Sequence, residues 1–310
     1  LKKFGMQFIS TPFQSAIRPA NTGMNAKKLP DGSYTTNTNH PDWLKLADHD
    51  NFGLFPAEYS SGLISKFPIL NLNVISDLKW KDFDPSFDPA AFKDARGLPY
   101  RRDLELFDKN FMDVTIVIGA TPVHVIILHT VPAFNFGNPN GLNELRNAAQ
   151  LRFLKYYLTG VVSKTDQPIV KSLNPGEAFI AMGDWNVDRD NSELEGAVVL
   201  KELGALFQYW IKDRVITYES QNYSPDRFSS QLDYILLSPH FDIVDSGVFR
   251  NENRIEKGCD GEPNDQKEGW KVVSYPSGEK TCYALVPDEM VLSKTASDHF
   301  AIFAEVTLKP

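Results

Sequence analysis

Four short stretches of this 310-residue chain carry side chains suited to one kind of chemistry. In "FIAMGDWNVDRDN" (179–191) an apolar run from Phe179 to Met182 stops at Gly183, and a carboxylate, Asp184, and a carboxamide, Asn186, follow two residues apart. "SSQLDYILLS" meets Asp233 just before its apolar run, "TASDHFAIF" sets Asp298 and His299 directly ahead of another, and "VIILHT" closes on His129. Carboxylate and amide oxygens suit a hard divalent cation, and imidazoles move protons. Each stretch alone has a plainer reading. Asp184 with Asn186 could be a turn, Asp233 a strand-edge cap, His129 a hydrogen-bonded core histidine, and Asp298 with His299 a solvated loop. His40, His49, His124 and His240 are assigned to those plainer classes, and Trp185 to covering the turn.

These residues all fall at the ends of expected strands, where a rigid scaffold assembles sites. "SGLISKFPIL" (61–70) reads as a strand, after a front segment rich in Asn, Thr, Pro and Gly that reads mostly as loop. "MDVTIVIGATPVHVIILHT" (112–130) is a pair of β-branched runs about a short turn, an antiparallel hairpin whose second arm, with "VIIL", is covered on both faces. Residues 140–160 read as a helix through Leu142, Leu145, Ala149, Phe153, Tyr156 and Tyr157, with Gly160 to end it. "AFIAM" is a short buried strand, 192–206 a helix with Ser192 as N-cap, and "QLDYILLS" and "FAIFAEVTL" two more strands. Strands outnumber helices, and hairpins make the sheets at least partly antiparallel. Two sheets packed face to face with helices outside would bury the two-sided strands.

In order along the chain, "LHT", "GDWN", "LDYILLS" and "SDH" followed by an apolar strand resemble the motifs of the endonuclease/exonuclease/phosphatase superfamily, the deoxyribonuclease I-like hydrolases. "FPAEYSSGLISKFPI" is similar to that family's "YG-x-A-x-LSR-x-PI" strand, with Ser60 and Lys66 as departures, and "ANTGM" is similar to an "NTG" segment of a bacterial branch. The resemblance implies a four-layered α/β sandwich in a single domain over 1–310, and divalent-metal hydrolysis of phosphate esters. It implies that Asp184 and Asn186 orient the attacking water and hold the phosphate or metal. His299 then contacts the scissile phosphate, Asp233 accepts a hydrogen bond from its ring, Asp298 is a metal ligand or stands behind one, and His129 contacts a phosphate oxygen or protonates the leaving group. The family's opening strand with an Asn and its following "QE" are not found here, so the expectation is a fragment lacking the first two strands. Otherwise another segment would complete the domain, or Glu58 or Asp50 would substitute for the missing Glu; in a fragment, Glu58 or Tyr59 would sit near His129 and orient it.

The chemistry calls for these parts on its own account. A phosphodiester is anionic and repels hydroxide; a cation neutralises developing charge while a carboxylate positions the water. A histidine beside an aspartate is biased towards imidazolium, which suits the charge of a phosphorane-like transition state. Mg²⁺, or Mn²⁺ in its place, fits an oxygen-rich site with few protein ligands. Zinc fits less well, since no His/Cys cluster stands at ligand spacing. A carbohydrate hydrolase would need two facing acids, and nothing in the sequence places such a pair. The alternative from another class is a binding module that keeps the fold without activity.

A net charge of -8 and a pI of about 5.3 argue against broad binding to nucleic acid, which needs clustered Lys and Arg. The substrate classes left open are a phosphorylated small molecule, a lipid headgroup or a nucleic acid, and no protein partner is indicated. No apolar run approaches the roughly 20 residues of a membrane-spanning helix, and no charged segment leads into an apolar one near Leu1, so no signal peptide is expected in these residues. Cys259 and Cys282 flank a turn-rich stretch with one alternating run, "KVVSY", a hairpin-like excursion over 250–290 with little core of its own. A disulfide there would close a loop of about 24 residues and contribute about 3 kcal/mol, against the plainer reading of two free thiols. The pairing is favoured, and with it a secreted or periplasmic location.

Overall fold

The β-branched runs around "GATP" form a hairpin within the six-stranded sheet of the structure, a computed structural model that describes residues 27–28, 34–35, 59, 61–94, 97–163, 165–220, 228–249, 255–261, 268–288, 290–292 and 297–309. Asp50, Glu58, His40 and His49 lie outside the described residues. In chain order the strands are β1 (Lys27–Lys28), β2 (Tyr34–Thr35), β3 (Ile69–Ile75), β4 (Phe111–Ile118), β5 (Thr121–Leu128), β6 (Ala178–Asp184), β7 (Gln208–Tyr209), β8 (Tyr218–Glu219), β9 (Ser229–Ser230), β10 (Asp233–Leu237), β11 (Phe241–Val248), β12 (Ile255–Gly258), β13 (Trp270–Ser277), β14 (Lys280–Pro287) and β15 (Ile302–Leu308). The helices used below are α1 (Trp80–Phe83), α2 (Asn143–Thr159) and α3 (Glu195–Leu206).

The chain divides into two compact units, the first Leu1–Gln208 with Ile235–His240, the second Tyr209–Tyr234 with Phe241–Pro310. The first is built on a mixed sheet in the order β3-β4-β5-β6-β10-β7. β4 and β5 pair antiparallel from Phe111↔Leu128 to Ile118↔Thr121, and β5 and β6 pair parallel from Val123↔Ala178 to Ile127↔Met182. A parallel neighbour needs a crossover, and α2 supplies it. Its Phe153 ring meets Phe83, Phe107 and Phe111 with centroids 5.3, 5.1 and 5.1 Å apart, all edge-on. Such pairs add about 0.5–1.5 kcal/mol each beyond the area they bury. Gly160 ends α2 in the left-handed region, as its position in the sequence suggests. Arg152 of α2 binds Asp84 after α1, Asp166, and Glu195 at the start of α3, at 3.2, 3.2 and 2.6 Å.

Two local expectations fail for identifiable reasons. The stretch 61–70 is not a strand until Ile69, because the Ser65 hydroxyl both accepts from the Phe67 N–H and donates to its carbonyl, folding the chain into a turn ahead of Pro68. Ser192 is not an N-cap. Asn191 makes the turn there, its carbonyl accepting from Leu194 N, so the helix starts at Glu195 behind an uncapped Leu194.

His124, on β5, belongs to a buried polar network. Its Nδ1 donates to both oxygens of Asp113 at 2.9 Å, and the Tyr157 hydroxyl donates to the same carboxylate at 2.8 Å. The bond to Asp113 holds the imidazole above its usual 6.5, with the charges of Asp113 and Glu177 adding to it and burial opposing. A group raised on folding contributes stability that is fully present below its unfolded pKa and is lost as pH rises through the folded one. The unfolding free-energy difference between the wild type and His124→Gln is therefore expected to be larger at pH 6 than at pH 9. Urea midpoints at the two pH values measure this, and an equal gap at both would refute it.

The second unit holds the antiparallel pair β11–β15 and the three-stranded sheet β12-β14-β13. Cys259 and Cys282 are bonded, with Cα atoms 4.0 Å apart. The β13–β14 hairpin has a small core after all: Tyr275, Cys282, Ala284, Val286 and Met290 are buried together.

Candidate active site

Two positions beyond the last β5–β6 pair come His129 and Asp184, side by side because the strands are parallel and in register. Gly183 makes the approach feasible. Its φ is +150°, and a Cβ there would fall 1.9 Å from the Leu128 carbonyl oxygen. Past it the two chain ends remain laced, Thr130 N donating to Asp184 O and Ala133 N to Asn186 O, each at 3.0 Å. The Asp184 carboxylate closes the turn by accepting from Asn186 N at 2.9 Å and from Asn186 Nδ2 at 3.1 Å. Asn186 takes φ +51°, a left-handed conformation that Asn tolerates better than most residues. Its Nδ2 also donates to Thr130 O at 3.0 Å, so this network orients Oδ1 as the atom able to accept or ligate.

His129 is oriented from its other side. Nδ1 donates to the carbonyl of Tyr59 at 3.1 Å, which fixes a proton on Nδ1 and leaves Nε2 to exchange protons, 3.3 Å from Asp184 Oδ2. Tyr59, at φ +63°, sets its ring edge-on to the imidazole at 5.8 Å. Beneath lies the buried pair Asp108–Lys109, with the Lys109 ammonium 6.0 Å from the centre of the Tyr59 ring. Burial pushes the Asp108 carboxyl up, but Lys109 and Arg146 outweigh it and hold Asp108 below the usual range.

In the second unit, His299 Nδ1 donates to Asp233 Oδ2 at 2.8 Å, leaving Nε2 as the exchangeable position, and the Tyr218 ring stands edge-on to the imidazole at 5.0 Å. Asp298 precedes the pair, its carbonyl accepting from Glu219 N at 3.1 Å. The structure thus groups His129, Asp184, Asn186 and Tyr59 in one unit, and Asp233, Asp298 and His299 in the other. His124 and His240 belong to neither group. His240 shares a hydrogen bond with Ser238 at 3.2 Å, and Trp185 is fully buried under its turn.

Sequence reasoning missed the residues that hold the first group. Asn147 of α2 donates to Thr130 Oγ1, Val131 O and Trp185 O at 2.9, 2.8 and 3.0 Å, tying the end of β5 to the turn after β6. Gln150, one turn on, accepts from Val131 N and donates to Asp108. The readable signal was two amides spaced i, i+3 on one helix face, which Arg146 shares: it too is buried and, like Gln150, donates to Leu106 O.

The model of the endonuclease/exonuclease/phosphatase family matches residues 18–299, most of the chain. The chain belongs to this family. Its fold class is the family's deoxyribonuclease I-like α/β sandwich. Among solved structures, an endonuclease/exonuclease/phosphatase from Beutenbergia cavernae is similar, with 13% identity and a TM-score of 0.41 over 79% of this chain and 47% of that one. Sphingomyelinase C from Streptomyces griseocarneus matches at 16% identity and TM-score 0.38, covering 78% and 65% of the two chains. A Staphylococcus aureus beta toxin variant with bound magnesium ions matches at 16% and 0.36, covering 82% and 71%. The chain therefore spans about half the length of the first of these. No curated protein matches the sequence. Among the described residues no helix is long and apolar enough to cross a membrane.

Enzymes of this family use divalent metals, and the donor set agrees. Asp184 offers carboxylate oxygens and Asn186 an oriented amide oxygen, both hard ligands. Two such ligands with water filling the remaining positions is the way Mg²⁺ is commonly held.

Proposed function

We propose that the chain is a metal-dependent phosphoesterase that cleaves a phosphate ester by direct attack of water. The observation that carries this reading is the first unit's constellation, in which an acid, an oriented amide and a histidine of fixed tautomer converge at the ends of two parallel strands. Asp184 and Asn186 orient the water and hold the phosphate or the cation. His129, with its proton exchange confined to Nε2, contacts a phosphate oxygen or protonates the leaving group. His299 contacts the scissile phosphate through Nε2, while Asp233 fixes its ring and stabilises the imidazolium; Asp298 is a ligand candidate for the cation. Bound Mg²⁺ or Mn²⁺ would supply Lewis-acid neutralisation of the negative charge that builds on phosphate oxygens.

The substrate is a phosphorylated small molecule, a lipid headgroup or a nucleic acid. The net charge of -8 favours the first two over a dedicated DNA-repair role. The Cys259–Cys282 bond supports a secreted or periplasmic setting.

Hydrolysis of bis-p-nitrophenyl phosphate tests the reading. Turnover is expected with Mg²⁺ or Mn²⁺, to fall at least about a hundredfold in excess EDTA, and to return when either ion is restored. Turnover that EDTA leaves unchanged would refute metal dependence. No turnover with either ion would favour a binding module on the same fold.

A further inference from the structure

Thr217 lies immediately before β8 in the second unit and is fully buried. Each of its polar groups holds a different piece of chain. Its N–H donates to Ser230 O at 3.0 Å, and its carbonyl accepts from Phe300 N at 2.7 Å. Its hydroxyl oxygen accepts from two successive backbone groups, Leu232 N at 2.9 Å and Asp233 N at 3.0 Å. One residue therefore grips the backbone of Asp233 and the residue directly after His299, the two partners of the 2.8 Å carboxylate–imidazole bond. Next along the chain, Tyr218 bridges the His299 backbone and sets its ring against the imidazole, and Glu219 N donates to Asp298 O.

We propose that Thr217 is a positioning residue that keeps Asp233 and His299 in hydrogen-bond register through the double acceptance at its hydroxyl. This rests on the proposed function only in supposing that the pair serves catalysis; the clamp itself is a claim about geometry. Asp233 enters β10 from a two-residue link after β9, and its backbone N–H donates to the Thr217 hydroxyl. The hydroxyl at 217 thus bears directly on the height of Asp233 along the strand, and so on the reach of its carboxylate to Nδ1. A threonine suits the task because a hydroxyl oxygen has two lone pairs, and its β-branched methyl stiffens the χ1 that aims them.

The test compares Thr217→Val, which keeps the shape and removes the acceptor, with Thr217→Ser, which keeps the acceptor. The readouts, on the full chain with ¹⁵N-labelled histidine, are the His299 Nδ1–H resonance and its one-bond coupling partner, alongside kinetics on bis-p-nitrophenyl phosphate with Mg²⁺. Thr217→Val is expected to shift or broaden the Nδ1–H signal and to lower kcat about ten- to a hundredfold with KM changed less, the range that a small misplacement of a reacting group costs. Thr217→Ser is expected to restore the signal and most of kcat. If Thr217→Val does not fold, Thr217→Ala, which leaves room for a water to accept the two N–H groups, takes its place with the same expected signs. An unchanged His299 Nδ1–H signal in a folded variant lacking the hydroxyl would overturn the proposal. If the wild type shows no turnover, the resonance still decides: a shift upholds the clamp while the phosphoesterase reading fails.

Discussion

Replacing Asp184 with alanine is expected to lower kcat on bis-p-nitrophenyl phosphate by about a thousandfold, roughly 4 kcal/mol of transition-state stabilisation, with little change in thermal stability. The side chain does several things at once. One oxygen accepts from Asn186 N; the other accepts from Asn186 Nδ2 and lies 3.3 Å from His129 Nε2. Removing it takes away the acid that would orient water or a cation, and frees the Asn186 amide from one of its two anchors. The fold itself loses little, since Thr130 O still holds Asn186 and the backbone lacing of β5 to β6 does not use the carboxylate. Steady-state kinetics with Mg²⁺ and a thermal melt measure the two halves of the claim. Activity within tenfold of wild type would sink it.

The same geometry predicts that His129 and Asp184 act as a unit, so that losses from single replacements do not add. His129→Ala in an Asp184→Ala background should cost far less than in wild type. A full additive loss would mean that the 3.3 Å approach of their side chains has no functional content.

The histidines, acids and amide at the strand ends were legible in the sequence because strand ends announce themselves: a polar residue stands directly before or after an apolar run. The structure places His129, Asp184, Asn186, Asp233 and His299 at or beside strand ends, as the sequence pattern suggested, and the β4–β5 hairpin and α2 lie close to where their patterns put them. What could not be read is the layer that aims them. Tyr59 was expected near His129, but that the contact is made by its carbonyl, 70 positions away, could not be read, since a backbone oxygen leaves no trace in residue type. Thr217 resembles any strand threonine until its hydroxyl is seen to accept twice. Asn147 and Gln150 were visible as amides on a helix face, but only the fold shows that they span the two strand ends. The misread strand at 61–70 has a related cause: Ser65 closes a turn with its own neighbours, a local competition that apolar content cannot reveal.

Gly183 answers why a buried strand should pause at a glycine just before its acid, and it yields the largest expected effect on stability. A Cβ there would stand 1.9 Å from Leu128 O and 2.9 Å from Leu128 C, both backbone atoms of the paired strand. No rotamer change relieves that contact. The strands would have to part at the positions that bring His129 beside Asp184, breaking the bond from Thr130 N to Asp184 O, and the φ of +150° adds strain for any L side chain. Gly183→Ala is therefore expected to cost about 4 kcal/mol or more, the upper tail for single substitutions, and any fraction that folds should lose catalysis along with the register. Gly119→Ala provides the control. It lies in the β4–β5 turn at φ +64° with nothing within 4 Å of a Cβ, so only the left-handed penalty of about 1 kcal/mol applies. Chemical denaturation of the two variants separates crowding from conformational preference. If Gly183→Ala unfolds no more easily than Gly119→Ala, the two strands do not approach so closely, and the reason given for His129 standing next to Asp184 fails with it.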